Sequence, residues 1–457
     1  MTEGGLGASF FSNRLMWAGF AIAAGLNLWN GIAFLYPSLP SLPLGITDLK
    51  PYFTTKPWSG IDWLPVTLYP LAIGLSYLLP LDLLFSCWFF LLFWKAQMVV
   101  STAMAWDATP DFPFIKEQGF GSILGLFVFY LWTGRRYYRE IGRRVFSAGK
   151  REAESGQGGR QVGQKSPPPV EGLSERAALA GLILGTLGLA AFCMAAGVAW
   201  WVAVGFLAIY LPTILIVTRI RAELGAPVHD FHFMGPDTMI PRAVSTSALR
   251  QSDLAFFTFM FSLTRAHRSD TMPVGLEGLQ MARLRALEAR RMFGAIMLAT
   301  VLGTLSAFWA FEHQAYVLGA AAKFNAGYNH AEQAFDRMNE WVGGTLDRRP
   351  NLPAVTAIGI GFLTTWVLLF FRLRYFGFPL HPIGYAISSS WSIHLLWVPM
   401  LIAWTLKGLT MRYGGLRAYR RFLPFFLGLI LGDCVLGSFW GLMSLLLNMR
   451  TYNFFGG

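Results

Sequence analysis

The chain has 457 residues, of which 54% are hydrophobic and only 14% charged, with a mean hydropathy of +0.46. A soluble globular domain carries roughly 25% charged residues, so the composition excludes an ordinary soluble protein. The net charge of +12 would suit a nucleic-acid binder. However, the basic residues cluster beside apolar runs, where the positive-inside rule places them, and no nucleic-acid-binding motif accompanies them.

Met1–Asn13 is polar and carries no Lys or Arg. Arg14 then precedes the run Leu15–Tyr36, which is too long for a signal-peptide core and lacks a small-residue cleavage site, so it reads as a retained first span. A helix needs about 20 apolar residues to cross a bilayer. By that measure Trp63–Pro80, Leu83–Met104, Gly119–Gly134, Ala177–Gly197, Ala199–Thr218, Met292–Glu312, Ala354–Phe371, Ile383–Leu406 and Phe422–Leu447 are further candidates. Trp63–Pro80 is weakened by Pro65 and Pro70, and Gly119–Gly134 is short. The expected fold is an all-α polytopic transmembrane helix bundle of nine or ten spans.

Residues 1–146 form a first group of four spans, and 147–176 hold a Gly-, Gln- and Ser-rich linker ending in Pro167-Pro168-Pro169. That linker cannot bury apolar area and is expected to be disordered. Residues 177–371 carry four more spans, with a cytoplasmic loop over 219–291 and an external loop over 313–353. Residues 372–457 form a C-terminal membrane domain. Arg135, Arg136, Arg139, Arg143 and Arg144 put the linker inside, as Arg219, Arg221, Arg290 and Arg291 do the large loop. The N-terminus is then cytoplasmic, in an inner membrane. Glu277–Arg291 reads as a basic surface helix, and Ala331–Val342 as an amphipathic one.

The rule meets a conflict at Ile383–Leu406, whose two flanks are both basic: Arg372 and Arg374 before it, Lys407 and Arg412 after it. Either it crosses plainly, or it folds back as a re-entrant hairpin. Gly384 and the run Ser388, Ser389, Ser390 are poor helix-interior material and would suit the hairpin. Gly181-Leu-Ile-Leu-Gly185 recurs as Gly428-Leu-Ile-Leu-Gly432. Both are small-xxx-small patterns that allow close helix approach, as is Gly437-xxx-Gly441.

Asn27, Lys95, His394 and Asp433 all fall near the middle of their runs. A charge at mid-bilayer costs at least ~2.5–3.5 kcal/mol and marks a substrate or proton path, or else a static pair. A Lys95–Asp433 pair would neutralise both charges, and His394 beside it would exchange protons near neutral pH. His229-Asp230-Phe231-His232 offers metal-ligating types at a spacing that matches no standard site, and no metal or cofactor is expected. His381-Pro382 reads as a turn. There is no phosphate-binding P-loop, HExxH or GxSxG motif, so nothing recognisable supports an enzyme.

Phe378-Pro-Leu-His-Pro-Ile-Gly-Tyr385, Arg412-Tyr-Gly-Gly415 and Pro424-Phe-Phe-Leu-Gly-Leu-Ile-Leu-Gly432 resemble the C-terminal domain of an uncharacterised family of bacterial polytopic membrane proteins. Phe85-Ser-Cys-Trp-Phe-Phe90, Lys95-Ala-Gln97 and Arg219-Ile-Arg-Ala-Glu-Leu-Gly225 are similar to that family's preceding domain. The resemblance implies two adjoining domains of unknown function, more N-terminal spans in other members, and a distant likeness to oligopeptide transporters. The resulting expectation is a secondary-transporter-like protein for a small polar or peptide-like solute, partnered by the lipid bilayer. A membrane scaffold or envelope-assembly component, and a membrane-embedded enzyme on a lipid-linked substrate, are the rivals.

Overall fold

The computed structural model describes residues 10–151, 174–225, 231–232, 234–267, 270–320 and 325–452. Linker residues 152–173, and His229 and Asp230 of the metal candidate, lie outside these.

The elements are α1 (Arg14–Leu35), a two-residue ladder of β1 (Thr47–Asp48) against β2 (Pro65–Val66), α2 (Pro70–Leu78), α3 (Leu81–Ala103) and α4 (Ile115–Arg151). There follow α5 (Glu175–Ala195), α6 (Trp200–Leu224), α7 (Pro236–Val244), α8 (Gln251–Thr264), α9 (Thr271–Leu284) and α10 (Ala289–Leu318). The last are α11 (Asn325–Val342), α12 (Leu352–Arg374), α13 (Pro382–Ser388) and α14 (Trp391–Leu447).

Seven of these, namely α1, α3, α5, α6, α10, α12 and α14, are long and apolar enough to cross a membrane among the described residues. Their outward faces are apolar too. Helix α10 buries no residue and exposes Leu305, Phe308 and Trp309 by 63–69%. An exposed apolar helix suits lipid and not water. The chain is an all-α, multi-pass protein by these measures. The count falls below the nine or ten expected because three runs are not simple spans. Gly119–Gly134 is the apolar start of the arginine-rich α4, and Trp63–Pro80 and Ile383–Leu406 are both broken.

The chain divides into two compact units. The first comprises residues 1–122, 224–231 and 363–457. Here α1 lies parallel to the second arm of α14. Gly428 and Gly432 make this close approach possible, since a Cβ on either would strike the backbone oxygen of Met16 or Phe20. The matching Gly181 and Gly185 in α5 face open space, as does Gly441. Only one copy of the sequence repeat therefore packs another helix. Helix α14 is not straight, since Gly415 has φ 59° and ψ −159°. Lys407 Nζ sits 4.9 Å from the Tyr419 ring, although twelve residues of straight helix would separate them by about 18 Å.

Trp63–Pro80 enters as an extended stretch and becomes helical only at Pro70, where the ring pre-sets φ and the missing N–H is harmless. Ile383–Leu406 folds back. Gly384 packs against Ser86, and Ser388 Oγ lies 2.7 Å from Trp94 Nε1. Trp404 has returned to Phe85 and Trp88, with ring centroids 5.6 and 5.5 Å apart. The chain thus rises beside α3 as α13, turns at Ser389 and Ser390, and descends as α14. Both legs of this fold-back lie against α3.

At the foot of the hairpin, His381 caps α13 through Nδ1, which accepts from the Ile383 amide at 3.2 Å. Burial holds the His381 imidazole well below its ordinary range, at about 4, with Arg372 adding to the effect and Asp82 opposing it. The native state therefore favours the neutral ring. The unfolded chain takes up a proton below about 6.5, so stability is full above that pH and falls as the pH drops toward 4. Thermal unfolding in detergent is expected to shift down between pH 7 and pH 5. The shift should be smaller in His381→Asn, which keeps a capping oxygen. An equal shift in both proteins would assign the acid sensitivity to another group.

The second unit comprises residues 123–223 and 232–362. Its core joins Phe206 of α6, Phe256 and Phe257 of α8, and Trp341 of α11. Buried Asp253 accepts from the Ala199 amide at 2.8 Å and the Arg250 amide at 3.0 Å, so α8 begins beside the start of α6. Arg337 of α11 meets Asp237 of α7 at 2.6 Å. The Thr246 amide donates to the Asp347 carbonyl at 2.8 Å. At the other end of α6, Arg221 pairs with Glu277 of α9 at 2.5 Å.

This corrects two expectations. Residues 219–291 do not stay together at one end of α6. Residues 236–253 return along α6, about 37 Å long, to the end opposite Arg219 and Arg221, and the chain then runs alongside α6 from Ala199 toward Tyr210. The apolar Phe256 and Phe257 drive this return by burying against Phe206, a force that counting loop arginines does not register. Nor is Glu277–Arg291 one helix, because α9 stops at Leu284 and α10 starts at Ala289. The amphipathic helix at Ala331–Val342 is present as α11.

Candidate functional site

The four residues near mid-run do not form one centre. Within the first unit they divide into two polar groups, each built where a helix is interrupted. Non-helical backbone inside an apolar bundle carries amide and carbonyl groups that need partners, and polar side chains supply them here.

The first group surrounds α2. Asp433 accepts from the Leu71 amide at 2.6 Å and from Asn27 Nδ2 at 3.3 Å. The carboxylate thus meets the N-terminal end of α2, where the helix dipole favours negative charge. Lys407 donates to the Tyr77 carbonyl at 3.0 Å and the Leu79 carbonyl at 2.6 Å, at the opposite and negative end. A nine-residue helix is therefore held at its two ends by two ionisable side chains of α14, one on each side of the Gly415 bend. From sequence alone Lys407 is only a basic flank of Ile383–Leu406. Its signal was present, since Leu406, Leu409 and Met411 continue the apolar run around it.

The second group sits where the hairpin tip meets the extended stretch before α2. Lys95 Nζ donates to the Trp63 carbonyl at 2.7 Å. The Trp63 ring stacks on His394 at 5.8 Å and on Trp391 at 6.2 Å. Trp397 Nε1 donates to the Pro65 carbonyl at 2.7 Å, and Thr67 Oγ1 to the Leu395 carbonyl at 2.5 Å. His394 Nδ1 lies 3.0 Å from the Ser390 carbonyl. A carbonyl only accepts, so this nitrogen carries the proton, and Nε2 of the neutral ring is left as an acceptor.

At the tip, Ser388 Oγ donates to the Tyr385 carbonyl at 3.0 Å and Ser389 Oγ to that of Ala386 at 3.2 Å. Ser390 Oγ, at the N-cap of α14, is buried with no partner among the described residues. Lys95 and Asp433 thus belong to different groups, and the described ion pairs include none between them. The pairing read from their shared depth is replaced by two separate sets of backbone contacts. The reason is geometric: each charge stands nearer to an unpaired peptide group than to the other charge.

Among the described residues no group of three His, Cys, Asp or Glu side chains is placed to hold a metal. A family model described as a family of unknown function matches residues 1–456. It runs as one model across the stretch that the resemblance divided into two adjoining domains. No curated protein matches the chain, and neither does any solved structure.

Proposed function

For a chain that belongs to this family of unknown function, DUF6785, we propose a secondary carrier of a small polar or peptide-like solute, with the solute site at the hairpin tip. The observation that carries the reading is the meeting of two interrupted elements, the tip at Ser390 and the stretch before α2, around a buried lysine. Carriers commonly place their solute sites beside such discontinuous helices. The N-terminus of α14 and Lys95 offer donors for a carboxylate, with Asp62 and Asp48 as the nearby opposing charges. Ser390 and His394 Nε2 add groups able to bond a neutral or cationic end.

A second reading, a static scaffold, is favoured by a different observation. Asp433 and Lys407 both point their charges at backbone groups, as a fixed clamp would. Uptake by proteoliposomes separates the two. With a panel of radiolabelled amino acids, dipeptides and tripeptides, at least one solute is expected to accumulate above empty vesicles. Lys95→Met should reduce that uptake by tenfold or more while the protein remains folded. Folded wild-type protein that moves no member of the panel would favour the scaffold.

A further inference from the structure

A surface groove of about 630 Å³ opens at the foot of the hairpin, lined by Asp82 and Phe85 of α3, Arg372 of α12, Tyr375 and Phe376 of the following loop, and Trp404 of α14. Its volume is within the roughly 300–1,000 Å³ of small-molecule sites. Asp82 and Arg372 are the only charges in its lining, and they form an ion pair at 2.6 Å with side chains about one-third exposed. Phe376 is fully exposed and Tyr375 is 56% exposed. The groove lies at the first turn of one span-like helix and the last turn of another, the level at which aromatic side chains meet lipid headgroups.

We propose that this groove binds the headgroup of a zwitterionic phospholipid. The lining supplies one carboxylate and one guanidinium, matching the one ammonium and one phosphate of such a headgroup. An ammonium between a carboxylate and aromatic faces gains both ion pairing and cation–π attraction. A guanidinium holds a phosphate through two parallel N–H donors. Binding opens the Asp82–Arg372 pair and replaces it with two pairs, so the groove remains neutral. Partly exposed ion pairs are screened by water and contribute little to stability, so opening this one costs little. An anionic lipid would satisfy Arg372 and leave Asp82 facing a negative headgroup.

The test is lipid retention by the full-length protein, purified in detergent, stripped of lipid and examined by native mass spectrometry. The probes are equimolar phosphatidylethanolamine and phosphatidylglycerol of the same acyl chains. Wild type is expected to retain phosphatidylethanolamine several-fold better. Asp82→Asn should abolish or reverse that preference, because the ammonium loses its partner and the phosphate does not. Phe376→Ser, at a position that packs nothing, should weaken retention several-fold with unchanged thermal stability, and it serves should Asp82→Asn fail to fold. Equal retention of the two lipids by wild type, or an unaltered preference in Asp82→Asn or unaltered retention in Phe376→Ser, would overturn the proposal and mark the bound lipid as adventitious.

Discussion

Asp433→Ala is expected to destabilise the first unit by about 3 kcal/mol, since it strips the part-buried Leu71 amide and the buried Asn27 Nδ2 of their acceptor. Leaving a buried donor unsatisfied costs about 1–3 kcal/mol, and a bond to a charged group is worth more than a neutral one. Asp433→Asn should be milder, about 1 kcal/mol, because its carbonyl oxygen still accepts from Leu71. Lys407→Met should cost about 2 kcal/mol by abandoning the Tyr77 and Leu79 carbonyls. Lys95→Met acts on a different peptide group, so its combination with Asp433→Asn should be additive within about 0.5 kcal/mol. Unfolding in detergent measures all of these. A coupling above about 1 kcal/mol between positions 95 and 433 would show that the two side chains interact after all.

The second large effect is all-or-none. In a background with Cys87, Cys193 and Cys434 replaced, a single cysteine at Ser247 should react with an impermeant reagent on the same membrane face as one at Arg349. One at Arg283 should react only on the opposite face. Ser247 and Arg348 are tied, with Ser247 Oγ donating to the Arg348 carbonyl at 3.2 Å. Arg283 lies on α9, whose Glu277 pairs with the far end of α6. Counting arginines would put Ser247 and Arg283 together, because both lie between Arg221 and Arg290. Labelling of those two from one face would restore the single-loop topology and leave α6 failing to cross.

The class of protein and most of its helices were legible in the order of residues alone. Long runs of Leu, Ala and Phe can satisfy their peptide groups within the segment itself only as a helix. That order also pointed to the breaks at proline 65 and 70 and at serine 388–390, which act through local backbone chemistry, but not to the one at Gly415. Which groups answer those breaks was decided by tertiary structure. Asn27, Asp433 and the Leu71 amide are hundreds of residues apart in part, and no spacing rule links them. Shared depth suggested a Lys95–Asp433 pair, because depth is a one-dimensional coordinate and partner choice needs the other two. The excursion of residues 236–264 to the start of α6 was hidden for a related reason. Loop charge reports where a segment ends, whereas burial of Phe256 and Phe257 against Phe206 decides where it goes between those ends.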